Sequence, residues 1–260
     1  MADGHTHEVD RLVLLEGATN FRDVGGYLTT SGHSVRRGLV FRSDALQDLT
    51  PDDIARLLAL GLGEVLDLRS ARELEAFGGT PLTQHGVEWH HVGFFPEAEP
   101  GSSAAAPVPV PTPSVHDHAA FAEQYLAWLE RGTSSVRRAF TEIAEADTHA
   151  VVFHCTAGRD RTGLIAGLLL SLVGVDDEVI AADYQLTEQY LRFPEARLER
   201  MRAVFGPGVA VSTESPPTPA AVMRITLAGL RERYGSPAAY LADAGVAPEV
   251  TEAIRHRLLV

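Results

Sequence analysis

Apolar positions along the chain fall into two kinds of run. Short continuous runs rich in β-branched residues sit at Leu39-Val40-Phe41, Val65-Leu66 and Val151-Val152-Phe153. Runs of that kind predict strands, and the last of them predicts one buried on both faces. Val87 to Val92 reads as a further strand, on which His90 and His91 point to opposite faces and so cannot share one metal ion. The second kind recurs at helical spacing. Thr50-Pro51-Asp52-Asp53 is a helix start, with Thr50 as N-cap, and the helix runs through Ile54 and Leu57 to a stop at Gly61. Further helices are expected at 119–130, 134–146, 164–170, from 176 onward, and at 220–234, 237–244 and 248–259. The stretch 198–205 is amphipathic, with Arg197, Arg200 and Arg202 expected on its exposed side. Strands alternating with helices predict one α/β domain over residues 1–260, with a mostly parallel sheet flanked by helices on both faces.

Between these elements the pattern gives way to turns. Asn20, Asp23 and the Gly25-Gly26 pair are turn chemistry, and Arg22 and Asp23 are expected to pair locally and hold the turn. From 96 to 115 the composition shifts to Pro, Ala and Ser, which predicts a flexible solvated loop.

Charge narrows the function. The 260 residues carry a formal net charge of −13, which argues against sequence-independent nucleic-acid binding and against an anionic membrane surface. Any anionic substrate must therefore be drawn in by a local field. The single cysteine excludes an internal disulfide and suits a reducing compartment. The first eight residues are polar, unlike a signal peptide, and no apolar run approaches the ~18 residues of a membrane span. A cytoplasmic protein without stable membrane insertion is expected, with export lacking a cleaved signal as the alternative. His5 and His7 read as part of a frayed terminus, not as metal ligands.

The chemistry concentrates at His154-Cys155-Thr156-Ala157-Gly158-Arg159-Asp160-Arg161-Thr162-Gly163, between the buried strand and the helix that follows it. A strand feeding a tight loop into a helix N-terminus turns several backbone N–H groups into one concavity, and the helix dipole adds positive charge there. Such a place binds a tetrahedral dianion and favours a thiolate. Cys155 is the expected nucleophile. Thr156, Ala157, Gly158, Arg159, Asp160 and Arg161 are the expected phosphate cradle, and Arg161 brings a planar fork suited to two phosphate oxygens. Thr162 can hydrogen-bond the sulfur, and His154 supports the loop from the strand side. Transfer from a phenolic ester also calls for an acid at the leaving oxygen. Asp67, at the carboxyl end of a predicted strand, and Asp160, within the loop, are the two candidates.

This array resembles the signature loop of the cysteine-dependent phosphatases. Its closest form, His-Cys-x-x-Gly-Lys-Asp-Arg-Thr-Gly, is typical of a bacterial branch of tyrosine, dual-specificity and lipid phosphatases. The usual lysine is Arg159 here, so a compact ammonium becomes a wider fork. Asn20-Phe21-Arg22-Asp23-x-Gly25-Gly26-Tyr27, the Asp67-Leu68-Arg69 segment and Tyr234-Gly235-Ser236-x-x-x-Tyr240-Leu241-x-x-x-Gly245 are similar to further segments of the same branch. The resemblance implies a cysteine-phosphatase-like fold with a helical lid at about 176–235. It also implies hydrolysis of phosphate monoesters through a phosphocysteine, with neither metal nor organic cofactor. A protein-tyrosine phosphatase is expected. Its substrate is a phosphotyrosine protein or a phosphorylated lipid or small molecule, with phosphate or a similar oxyanion in the site. The alternatives are a phosphoinositide or dual-specificity phosphatase and a phosphate-binding pseudoenzyme.

Overall fold

Strands β1 (Arg22–Asp23), β2 (Val40–Ser43), β3 (Leu62–Asp67), β4 (Glu88–His91) and β5 (Ala150–His154) join in the spatial order β1-β2-β5-β3-β4. All pairs are parallel except β1 with β2. This arrangement comes from a computed structural model that describes residues 11–94, 116–205 and 217–260. The proline-rich stretch expected to form a flexible loop lies outside the described residues, as do His5 and His7.

The central strand shows why the sheet is covered twice. Val151 and Phe153 belong to a large core on one face, whereas Ala150 and Val152 belong to a smaller one on the other. Alternate residues of a strand point to opposite faces, so a run apolar at every position needs partners on both sides. Helices α3 (His118–Arg131), α4 (Thr133–Glu145), α5 (Asp160–Leu172), α6 (Asp177–Tyr190), α8 (Ala220–Tyr234), α9 (Pro237–Asp243) and α10 (Pro248–Leu258) supply the first side. Helix α1 (Pro51–Ala59), the 3-10 turn Pro81–His85 and the segment around Phe21 supply the second. α1 begins as expected, with Thr50 and Asp53 capping each other's backbone. Among the described residues no helix is long and apolar enough to cross a membrane.

Two local expectations give way. Arg22 does not pair with Asp23. Its guanidinium reaches Asp183 on α6, while the Asp23 carboxylate accepts the amides of Gly25 and Gly38 at 2.7 Å each. A carboxylate two residues before a glycine turn satisfies backbone donors that a guanidinium cannot. Arg197, on α7 (Glu195–Phe205), is not exposed but 2% accessible. It donates to Asp44 Oδ2 at 2.7 Å, to Asp48 at 3.0 Å and to the Gly17 carbonyl at 2.7 Å. Helical spacing marks that side of α7 as polar, but its counter-charges lie some 150 positions earlier in the chain.

Candidate active site

β5 ends at His154, and the loop Cys155–Arg159 carries the chain into α5. The fold grips this loop from outside by its carbonyls. Thr156 O accepts from the Ala45 amide at 3.2 Å, and Ala157 O accepts from Asn20 Nδ2 at 3.2 Å. Gly158 O takes Asn20 Nδ2 and Arg42 Nη2, Arg159 O takes the Gly163 amide, and His154 Nδ1 lies 3.2 Å from Cys155 O. Across a planar trans peptide the N–H points opposite to the preceding C=O. Carbonyls engaged on the outside therefore turn the amides of 156–160 inward, where they join the free N–H groups of the α5 terminus. The result is a concavity of donors with Cys155 at its base.

Gly158 makes the turn possible. Its φ is +65°, and a Cβ there would lie 2.5 Å from the Ser43 carbonyl oxygen. Gly158→Ala is expected to displace the loop and reduce kcat/KM by ~10²-fold, the scale of a 1 Å misplacement. Steady-state kinetics beside an unchanged far-UV circular dichroism spectrum would check it.

Arg161, in the first turn of α5, is clamped by a residue the sequence reading passed over. Glu73 Oε2 and Oε1 accept from Nη1 and Nη2 of Arg161 at 2.6 and 2.8 Å, a two-pronged pair. The same carboxylate accepts the Thr156 hydroxyl and, at 2.9 Å, the amide and hydroxyl of Ser70. Glu73 is thus both the third residue of helix α2 (Ala71–Phe77), closing a capping box with Ser70, and the brace of the arginine. Burial alone would raise its carboxyl, but Arg161 outweighs that and holds it far below the usual range. The Ser70-x-x-Glu73 spacing announces the cap. Nothing in it announces a partner 88 positions away.

The two candidate acids sit in different surroundings. Asp67 is fully buried, and both its oxygens face Arg69, with Nε at 2.9 Å from Oδ1 and Nη2 at 2.6 Å from Oδ2. Burial pushes its carboxyl up, but His154 and Arg69 together bring it down to about 2. Asp160 opens α5 with its side chain 20% accessible. Its Oδ1 takes the Tyr125 hydroxyl at 2.6 Å and Arg159 Nε at 3.0 Å. The Tyr125 hydroxyl also meets that of Tyr184 at 2.8 Å, and Arg159 lies over the Phe121 ring.

Asp67 carries a stability prediction. A carboxyl held at about 2 when folded, against ~3.9 in the unfolded chain, stabilises fully above pH ~4 and loses that contribution as pH falls toward 2. The contribution is on the order of 2 kcal/mol. Asp67→Asn is expected to lower the unfolding free energy from urea titration at pH 7 by that much and to flatten its decline between pH 4 and pH 2.

Behind the loop, Asp183 gathers three guanidiniums. Arg42 Nη1 lies 2.6 Å from Oδ2, while Arg11 Nη1 and Arg22 Nε lie 3.1 and 3.2 Å from Oδ1, and the Tyr27 hydroxyl donates at 2.9 Å. The Asp183 carboxyl resists burial because the three cations hold it far below its usual range. Burial and neighbouring Arg42 push Arg22 down to about 10. The Asn20–Tyr27 segment thus serves the loop from behind: Asn20 grips the carbonyls, and Arg22 and Tyr27 fasten to Asp183.

Above the loop, α7 contributes Leu198 and Met201 to an apolar cluster with Phe77, Leu191 and Phe193, against which Ala157 packs. Thr162 Oγ1 is buried without a hydrogen-bond partner. A cysteine sulfur at the base of a donor-lined cup, beneath a braced guanidinium, can attack a tetrahedral dianion while the donors stabilise its equatorial oxygens.

The family model described as "Tyrosine phosphatase family" matches residues 13–260. The chain is 30% identical to the triple specificity protein phosphatase PtpB of Mycobacterium tuberculosis, in an alignment covering 94% of this chain and 98% of that protein. It is 35% identical to a tyrosine-protein phosphatase of Nostoc commune over 52% of this chain and 48% of that one.

Proposed function

This chain belongs to the tyrosine phosphatase family and is a cysteine-dependent hydrolase of phosphorylated substrates; we propose that Cys155 is its nucleophile, Arg161 its phosphate clamp and Asp160 its acid. The observation that carries the reading is the loop itself, held by its carbonyls from outside while Glu73 aims Arg161 over it. In the first step the Cys155 sulfur attacks phosphorus, the S–P bond forms and the P–O bond breaks. Asp160 gives its proton to the departing oxygen. In the second, Asp160 takes a proton from water as that water attacks phosphorus, and the thiolate leaves toward the Thr162 hydroxyl. Arg161 and the amides of 156–161 hold the equatorial oxygens through both steps, with two guanidinium hydrogens on Glu73, a third toward the Leu68 carbonyl and two left for phosphate. Neither step draws on a metal or an organic cofactor.

The geometry supports Asp160 over Asp67. Asp160 Oδ1 is engaged and Oδ2 is left to carry the proton at the mouth, whereas Asp67 is sealed against Arg69. Asp160→Asn is expected to reduce kcat on a phosphotyrosine peptide by ~10²–10⁴-fold. On p-nitrophenyl phosphate, whose leaving group needs less protonation, the loss is expected to be much smaller. Asp67→Asn is expected to move both substrates alike, and the reverse pattern would transfer the role to Asp67.

Phosphotyrosine protein is the proposed substrate. Arg159, which stands where the family branch has lysine, holds its Nε to Asp160 and lies over the Phe121 ring, which directs its fork toward the acid and an aromatic wall. Comparing kcat/KM for a phosphotyrosine peptide and a soluble phosphoinositide tests the preference, and faster turnover of the lipid would reverse it. We further propose that α7 acts as a lid over the loop, within one domain, and that the protein works in the cytoplasm.

A further inference from the structure

Parallel register sets Glu64 on β3 beside Glu88 on β4, and His90 two residues further along shares their face. Glu142 on α4 reaches the same place. Glu64 is 4% accessible, and its Oε2 meets His149 Nε2 at 3.2 Å. Bare Gly63 allows that approach, since a Cβ there would lie 2.7 Å from the His149 Cβ. Glu64 Oε1, however, is buried with no hydrogen-bond partner. A buried carboxylate oxygen left without a donor is costly and calls for an occupant.

The gaps around His90 indicate which occupant. Its Nε2 lies 3.7 Å from Glu64 Oε1 and 3.6 Å from Glu88 Oε2, and its Nδ1 lies 3.4 Å from Glu142 Oε1. These distances are too long for direct hydrogen bonds. One ion meets a single nitrogen of an imidazole, and the gaps from Nε2 to Glu64 and Glu88 approach the ~3.3–3.4 Å that separates neighbouring ligand atoms of a tetrahedral ion with bonds of about 2.0–2.1 Å. One ligand atom each from Glu64, His90 and Glu142 lies within 4.8 Å of the others. We propose that these three residues bind a first-row divalent cation, with Zn²⁺ as the probe, and that Glu88 or a water completes the coordination. His149 then fixes the orientation of Glu64 from behind, as outer partners of ligating carboxylates do. Arg138 Nε sits 3.3 Å from the same Glu142 oxygen and competes for it, but its side chain is half exposed and can turn to solvent. Glu64 lies three residues before the Asp67 end of β3, about 10 Å back from the catalytic loop. The ion would pin α4 to the sheet edge and take no part in hydrolysis.

The test uses the full untagged chain carrying Cys155→Ser, so that the catalytic sulfur cannot bind the metal. After chelator treatment, Zn²⁺ titrated calorimetrically at pH 7.5 is expected to bind one equivalent and to raise Tm. Adding His90→Ala or Glu142→Gln is expected to weaken binding by at least ~10–100-fold. His91→Ala, on the opposite face, is expected to leave it unchanged. Should His90→Ala fail to fold, Glu142→Gln on the surface of α4 decides alone. No binding up to millimolar Zn²⁺, or binding indifferent to Glu142→Gln and His90→Ala, would overturn the site.

Discussion

Cys155→Ser is expected to bring hydrolysis of p-nitrophenyl phosphate and of a phosphotyrosine peptide to background, a loss on the order of 10⁴-fold or more. The hydroxyl is nearly isosteric with the thiol but stays protonated at neutral pH, and the neighbouring His154 turns its Nδ1 to the Cys155 carbonyl, not to the side chain. Everything else in the cup remains. The loop carbonyls stay gripped by Asn20 and Arg42, and Arg161 stays braced on Glu73. The variant should therefore still bind inorganic phosphate and phosphopeptide, which calorimetry would measure. Glu73→Gln makes the complementary case. It keeps the volume but halves the acceptors facing Arg161 and removes the charge, so the nucleophile remains while the clamp swings. A loss of about 10²–10³-fold in kcat is expected, the scale of removing one preorganised donor. Turnover retained by Cys155→Ser would sink the phosphocysteine route. Loss of phosphate binding together with turnover would show that the sulfur also shapes the cup.

Asp183→Asn is expected to be the most damaging single change to stability. It leaves the guanidiniums of Arg11, Arg22 and Arg42 buried together with no carboxylate between them. Removing one partner of an ordinary buried pair costs about 3–5 kcal/mol, and here three like charges remain. For a domain stabilised by ~5–15 kcal/mol that is a large share, and Tm is expected to fall by roughly 10–15 °C. The Asp183 carboxyl sits far below its unfolded value, so its contribution is complete above pH ~4 and would fade only in acid more extreme than the working range. Acidification therefore cannot mimic the substitution. Differential scanning calorimetry of both proteins at pH 5 and pH 8 would check this, and a difference present at one pH alone would overturn it.

The candidate catalytic loop was legible as a strand–loop–helix junction because its residues are consecutive, from His154 to Gly163. The sheet was legible for a related reason, since Val151-Val152-Phe153 needs apolar cover on both faces. What escaped was whatever depends on two distant charges meeting. Glu73 declared only its cap, Asp183 stood as one acid on a mixed helix, and Arg197 was taken for solvent-facing because periodicity counts polarity and not partners. The choice between Asp67 and Asp160 was open for the same reason. Both follow from motif position, and what separates them is Arg69 closing over the first and Tyr125 holding only one oxygen of the second.

The strand order also dictates a sequence of events in time. β5 lies between β2 and β3, so β1–β2 and β3–β4 have no ladder in common until residues 150–154 have emerged. Until then a nascent chain can hold two short, separate ribbons, each marginal in water. The same five residues that zip the halves together deliver Cys155, and the braces at positions 20, 42 and 73 are already waiting for the loop. Closure of so many distant pairings at once makes for slow, cooperative folding. Assembly of the sheet and birth of the anion cup are one event, so synthesis interrupted before that strand leaves no half-active enzyme behind.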